Sequence, residues 1–254
     1  MFHVKQKEKK LKLNEFKIEL LRIFALNDGL PTPSDVQAEK LFELTERMLE
    51  VNKNMNLTAI TEHSAIILKH YADSLTVSKF IPQNSSVIDI GCGAGFPTLP
   101  LAIFREDLKI IAVDSTAKRI DYVNETARML DLDNATAIAA RAEELGKSAD
   151  YREKFDVATA RAVANLSVLS ELCLPFVKVG GTFVSMKGSQ GESEVATAQN
   201  AIKLCGGEIK AANKLSLVSE NAEQDPRVIV EIKKISPTPA KYPRHYSQIS
   251  KKPL

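Results

Sequence analysis

The spacing of apolar positions changes once along the chain, near residue 85. Between Leu13 and Leu26 the residues Leu13, Phe16, Leu20, Leu21, Ile23 and Phe24 recur at helical intervals, and after the break "PTPSD" a second run carries Leu41, Phe42, Leu44, Met48 and Leu49. A third run starts near Thr61 and passes through "HSAIILKHYADSLTVSKF". Residues 1–80 are therefore expected to be helical. From Ser85 the apolar runs shorten to "SVIDIG", "KIIAVDS", "NATAIAA", "FDVATA", "GGTFVSMKG" and "RVIVEIKK", with amphipathic stretches between them. That alternation predicts an α/β fold built from βαβ units: a doubly wound, mainly parallel sheet with ligands at the carboxyl ends of its strands. "GGEIKAANKLSLVSE" followed by "DPRVIVEIKK" predicts a closing hairpin, hence an antiparallel edge. The expected division is a helical region at 1–80, a ligand-binding domain at 81–235 and a basic tail at 236–254.

Composition narrows the class. With 254 residues, 44% hydrophobic and 26% charged, the chain can bury a full-sized core. No window offers eighteen uncharged apolar residues, and "MFHVKQKEKKLKLNEF" is basic and polar, not a secretory leader, so a cytoplasmic protein without membrane attachment is expected. Cys92, Cys173 and Cys205 are odd in number and widely spaced, which argues against a disulfide framework and a zinc site; no metal is expected. The net charge of +2 hides a gradient. Residues 1–18 and 233–254 hold twelve of the 34 Lys and Arg but two of the 32 acids, leaving 22 basic and 30 acidic residues between them, a net of −8. Basic ends point to an anionic partner such as nucleic acid, against the plainer alternative of solvated tails.

The candidate chemistry starts at "VIDIGCGAGFPTLPLAI", Val87 to Ile103. Gly91, Gly93 and Gly95 follow a buried strand and let a ligand approach the backbone, and Pro97 suits a first helical turn. A dinucleotide loop would place a small residue where this chain has Phe96. The G-x-G-x-G spacing instead resembles the S-adenosylmethionine loop of class I methyltransferases. Asp114 ends the second strand, 23 residues after Gly91, where a carboxylate can accept from two ribose hydroxyls; a helix-capping role is the alternative. Arg141 to Glu144 follow the third strand, at the adenine position of such enzymes or simply in the acidic first turn of a helix. Arg161 and Lys187 end the fourth and fifth strands and put two cations on the ligand-facing rim. "FDVATARAVANL" lacks the N-P-P-Y or D-P-P-Y loop used on exocyclic amines, and no Pro-Cys pair supplies a covalent nucleophile.

Six motifs in order, "VIDIGCGAGFPTLPLAI", "NLTAI" (56–60), "KHYADSL" (69–75), "ARAEEL", "ATARAVANL" and "KYPR", together resemble the bacterial ribosomal RNA small-subunit methyltransferase G family over nearly the whole chain. The resemblance implies a class I methyltransferase, Rossmann-like fold with N-terminal helices; a monomer is expected. It implies transfer of a methyl group from S-adenosylmethionine to N7 of a guanine in the 530 loop of 16S ribosomal RNA or an assembled small subunit. Cofactor contacts would fall on Gly91, Gly93, Phe96, Asp114, Ala142, Glu143 and Arg161. Guanine N7 carries no proton, so no acid or base is nominated; Arg161, Lys187, His70, Asp73 and Arg244 are candidates to position the substrate. The chain departs from the family pattern at Thr98 in the loop and at Tyr246, Ser247 and Ile249 near the end. A methyltransferase for small molecules or proteins, a non-catalytic binding module and an NAD-dependent oxidoreductase are the rival classes. Phe96 and the lack of a catalytic dyad speak against the last.

Overall fold

Helices α1 (Phe2–Ala25) and α2 (Asp35–Met55) realise the first two apolar stripes. This computed structural model describes residues 2–254, with side chains from residue 11 onward. Phe16, Leu20, Ile23 and Phe24 of α1 are buried with Leu41, Phe42, Leu44 and Met48 of α2. Phe16 meets Phe42 edge-on at 5.5 Å between ring centroids, a favoured aromatic geometry. Leu21, read as part of the stripe, faces solvent because it lies a quarter-turn off the buried row. Ser34 and Gln37 form a reciprocal capping box at the start of α2. At its end Asn52 brackets Thr58, accepting its N–H and donating to its carbonyl at 2.9 Å each, which fixes the "NLT" segment.

The third helical run is interrupted in register. It forms α3 (His63–Ile66), one π-helical turn over Ile67–Ala72, and α4 (Asp73–Leu75). Such turns are frequent at functional sites, and this one carries His70.

Seven strands follow among the described residues: β1 (Ser86–Ile90), β2 (Lys109–Asp114), β3 (Ala135–Ala139), β4 (Phe155–Arg161), β5 (Val177–Lys187), β6 (Gly207–Val218) and β7 (Gln224–Lys234). They lie in the order β3-β2-β1-β4-β5-β7-β6, with the first five parallel and β7 antiparallel to both β5 and β6. The expected doubly wound sheet with an antiparallel edge hairpin is therefore present. β5 begins earlier than its apolar run, at Val177, because a register shift between Phe155 and Val157 absorbs the extra residues around Gly180. The connecting helices are α5 (Thr98–Phe104), α6 (Ala117–Met129), α7 (Ala142–Leu145), α8 (Leu166–Cys173) and α9 (Gly191–Leu204), followed by α10 (Tyr246–Lys251). One buried apolar cluster joins α1, α2, α5 and α6 to the sheet and a second joins α8 to α10, so alternate residues of β1, Val87 and then Ile88, enter opposite cores. Asn27, after α1, donates to Val218 O and accepts from Val218 N at 3.0 and 2.8 Å, occupying the open edge of β6.

Several cations near the C-terminal end are internal to the fold. Arg152 donates to the carbonyls of Gly146, Thr238, Pro239 and Tyr242, strapping the C-terminal residues onto the body. Lys234, 1% exposed, donates to Leu174 O and Thr238 Oγ1 and pairs with Glu153, while Lys233 donates to Gly180 O. Lys251 and Lys252 stay exposed. At the other end, Lys5, Lys7, Lys9 and Lys10 lie outside the described side chains, and Lys17 pairs with Asp35 and Glu39 between α1 and α2. Among the described residues no helix is long and apolar enough to cross a membrane, no three His, Cys, Asp or Glu side chains are grouped so as to hold a metal ion, and the three cysteines are free and buried.

Candidate active site

Each loop at the carboxyl ends of β1, β2 and β4 contributes to one cleft. The glycine loop bends at φ +77° at Gly91, where an added Cβ would stand 2.4 Å from Val163 Cγ2 of the loop after β4. At Gly93 the space is open, but φ is +56° and the N–H points to Asp114 Oδ2 at 3.1 Å. Asp114 Oδ1 accepts from Thr116 N at 2.8 Å, just before α6, and Arg119 stands 3.9 Å away. The Asp114 carboxylate thus organises the start of α6, the capping alternative, and also faces the cleft.

Thr98, the departure inside the loop, has a structural explanation. Pro97 sits just before α5, not inside it, and Thr98 Oγ1 donates to Asp89 Oδ2 at 2.7 Å while Thr159 Oγ1 donates to Oδ1 at 3.0 Å. Both threonines are fully buried, so they ground a carboxyl that is 1% exposed beneath the loop. Burial pushes Asp89 up to about 7, against the pull of the two hydroxyls. Between pH 4 and 7 the folded chain keeps a proton that the unfolded chain has lost. The stability this lends is complete below the ordinary carboxylate value of 3.8 and is lost as pH rises through about 7. Asp89→Asn is expected to flatten that fall, and denaturant titrations from pH 4 to 8 check it; parallel profiles for the two proteins would remove Asp89 from the account.

The wall opposite comes from the π turn. His70 stacks on Phe96 at 4.6 Å and 11°, and the Arg161 guanidinium lies over the same ring at 5.3 Å. Burial, reinforced by the Arg161 charge and opposed by a backbone contact at Lys69, pulls His70 down to about 4, so it is neutral at pH 7. Thr58 Oγ1 lies 2.9 Å from His70 Nε2 and already accepts from Ile60 N, so we assign its hydroxyl proton to Nε2 and the ring proton to Nδ1. That Nδ1 has no partner among the described residues.

Two cavities of about 360 and 230 Å³ share Gly91, Asp114, Arg119 and Val163 and form one continuous cleft. His70 and Phe96 line one end of it; Ala142, Glu143 and Tyr246 line the other. A third cavity, about 630 Å³, adjoins at Arg161, Ala162 and Val163 and extends to Lys187, Asp225 and Arg227. Arg161 Nη1 donates to Lys69 O at 2.9 Å and to Asp73 Oδ2 at 3.1 Å, and Arg227 Nε donates to Asp73 Oδ1 at 2.9 Å.

The residues proposed from sequence are therefore split. Gly91, Gly93, Phe96, Asp114, Ala142, Glu143, Arg161 and His70 border the first cleft, and Asp73, Arg161 and Lys187 the adjoining cavity. Lys187 is not a bare rim cation. Its Nζ donates to Ala164 O at 2.5 Å and pairs with Glu194 at 2.7 Å, and Glu194 also holds Leu166 N at 2.6 Å, so together they clamp the loop after β4. Arg244 lines none of the three cavities; it is bound to Glu171. Arg119, Glu194, Asp225 and Arg227 are the lining charges that sequence reasoning passed over. Their signal was slight: "DPR" reads as a hairpin approach, and Arg119 as one more polar residue of an amphipathic helix.

The profile of the family described as rRNA small subunit methyltransferase G matches residues 37–222 of this chain. A ribosomal RNA small subunit methyltransferase G of Leuconostoc citreum is 44% identical over 236 residues, spanning 91% of this chain and 97% of its own length. Its counterpart in Acetivibrio thermocellus is 43% identical over 248 residues, spanning 97% and 99%. Among solved structures, the 16S rRNA (adenine(1408)-N(1))-methyltransferase of Catenulisporales acidiphilia superposes with a TM-score of 0.50 at 13% identity, covering 60% of this chain and 89% of that one, a likeness of fold.

Proposed function

This chain belongs to the rRNA small subunit methyltransferase G family, and on that premise we propose that it methylates N7 of a guanine in the 530 loop of 16S ribosomal RNA, using S-adenosylmethionine. The observation that supports the reading is the junction at Arg161, Ala162 and Val163, where the cleft over the glycine loop adjoins a second, separate cavity, which we assign to the acceptor.

The cleft fits S-adenosylmethionine by its donor and acceptor set. Asp114 offers carboxylate oxygens to ribose hydroxyls, and Ala142, Glu143 and Tyr246 border a pocket for a flat base. The glycine backbone at Gly91 and Gly93 lets an amino-acid chain pass close by. When bound, this cofactor supplies an electrophilic sulfonium methyl group. Guanine N7 offers an in-plane lone pair and no proton, so the protein has only to align the two. Well-oriented reactants can gain roughly 7 to 11 kcal/mol from such alignment. This reading assigns no base at the junction. His70 is held between Thr58 and Phe96 with its Nε2 engaged, and Arg161 is held back from the reacting atoms by Asp73, which it shares with Arg227.

The test is to incubate the full chain with isotopically labelled S-adenosylmethionine and either naked 16S RNA or small subunits from cells lacking the protein, then map the label by mass spectrometry of nuclease fragments. One 7-methylguanosine in the 530-loop fragment is the expected result. Label on another base, or only in added protein extract, would overturn the reading. The two RNA arms also show which form is the acceptor.

A further inference from the structure

The adjoining cavity has a charge pattern that suits a base edge better than a phosphate. Its lining cations, Arg161, Lys187 and Arg227, are matched by three carboxylates, Asp73, Glu194 and Asp225. A phosphate site would carry an excess of donors; alternating donors and acceptors fit a heterocycle that has both.

The three carboxylates differ in what they have left to offer. Asp73 has one oxygen bound by Arg161 and the other by Arg227, and its side chain is 10% exposed. Glu194 Oε2 is committed to Leu166 N and Lys187. Asp225 is 41% exposed. Arg227 grips it in fork geometry, Nη1 to Oδ1 at 2.5 Å and Nη2 to Oδ2 at 3.0 Å, while Arg227 Nε is anchored on Asp73. The guanidinium takes one lone pair from each Asp225 oxygen and fixes the carboxylate plane, leaving a second acceptor site on each oxygen. Asp225 is kept ionised by those hydrogen bonds from Arg227, which outweigh partial burial.

Position selects the edge. Guanine N7 belongs to the five-membered ring, and N1–H and N2–H lie on the opposite side of the purine. With N7 at the junction near Arg161 and Val163, the far edge of the base lies toward the part of the cavity not shared with the donor cleft, where Asp225 and Arg227 stand. Two parallel acceptors match two parallel donors. Adenine would place the N1 lone pair against the same carboxylate and be repelled. We propose that Asp225, oriented by Arg227, reads the N1–H and N2–H edge of the acceptor guanine and sets the base specificity of the reaction. This rests on the guanine-N7 reading above.

The test compares RNA carrying guanosine at the acceptor position with the same RNA carrying inosine, which keeps N7, O6 and N1–H but lacks the N2 amino group. For the wild-type chain, inosine should lower kcat/KM about ten- to a hundredfold, the usual size of one hydrogen bond to a charged group. In Asp225→Asn and Asp225→Ser the guanosine rate should fall and the ratio of the two substrates should approach one, with S-adenosylmethionine affinity by calorimetry unchanged. A wild-type chain indifferent to inosine, or variants that keep the full ratio, would overturn the assignment while leaving N7 methylation intact. Absence of any 7-methylguanosine from the guanosine RNA would instead overturn the function and the inference together.

Discussion

Replacing Arg244 by alanine is expected to lower the melting temperature by about 6 to 12 °C, an effect of about 3 kcal/mol at the usual conversion for a chain of this size. Glu171, on α8, has no exposed side-chain surface and accepts from Arg244 Nε and Nη2 at 2.9 and 2.7 Å. Removing one partner of a buried pair leaves an uncompensated charge, which typically costs about 3 to 5 kcal/mol. The lower end applies here because Arg244 N still donates to Glu171 Oε1 at 2.8 Å. A second variant makes the cause visible: Arg244→Met combined with Glu171→Leu should recover most of the loss, since no charge is then stranded. Thermal melts of the two proteins decide it. Equal losses in both would mean that packing, not charge, holds the C-terminal residues to α8. Cutting the chain before Lys241 should for the same reason destabilise the whole fold, and not merely weaken RNA binding.

Asp114→Ala should weaken S-adenosylmethionine binding roughly a hundredfold, read by isothermal titration. The change removes a charged acceptor for ribose hydroxyls, worth about 1.5 to 3 kcal/mol per hydrogen bond, and each 1.4 kcal/mol is a factor of ten. It also strands the N–H groups of Gly93 and Thr116, which loosens both loops. Asp114→Asn keeps one carbonyl acceptor and should lose about tenfold, in line with one lost charged contact. If the alanine variant melts earlier yet binds with unchanged affinity, Asp114 is only a brace between the loops and the ribose assignment falls.

Residue patterns of short range were legible in the chain. The order of helices and strands, the hairpin at the sheet edge and the glycine loop after β1 all follow from period, turn residues and local φ demands. So did most of the cleft lining, because a doubly wound sheet puts the residues that end its strands on one rim. The π turn around His70 left no such mark, since a one-residue change of helical register scarcely alters apolar spacing. Thr98 was opaque for a different reason: its partner Asp89 lies nine residues back on a strand, and only the fold shows both buried with Thr159.

Charge was where sequence and structure parted. By itself the sequence determined which residues are ionisable and that cations gather at the ends; it assigned the family through motifs whose spacing is local. Tertiary structure alone decided which of those charges face solvent. Lys187, Lys234 and Arg244 became internal anchors, and Arg227, the fourth residue of an ordinary-looking strand, came to stand beside Asp73 across 154 positions of chain. The physical reason is that hydrophobic period acts within an element and is written there, whereas an ion pair depends on distance and desolvation, which are set only when separate elements pack.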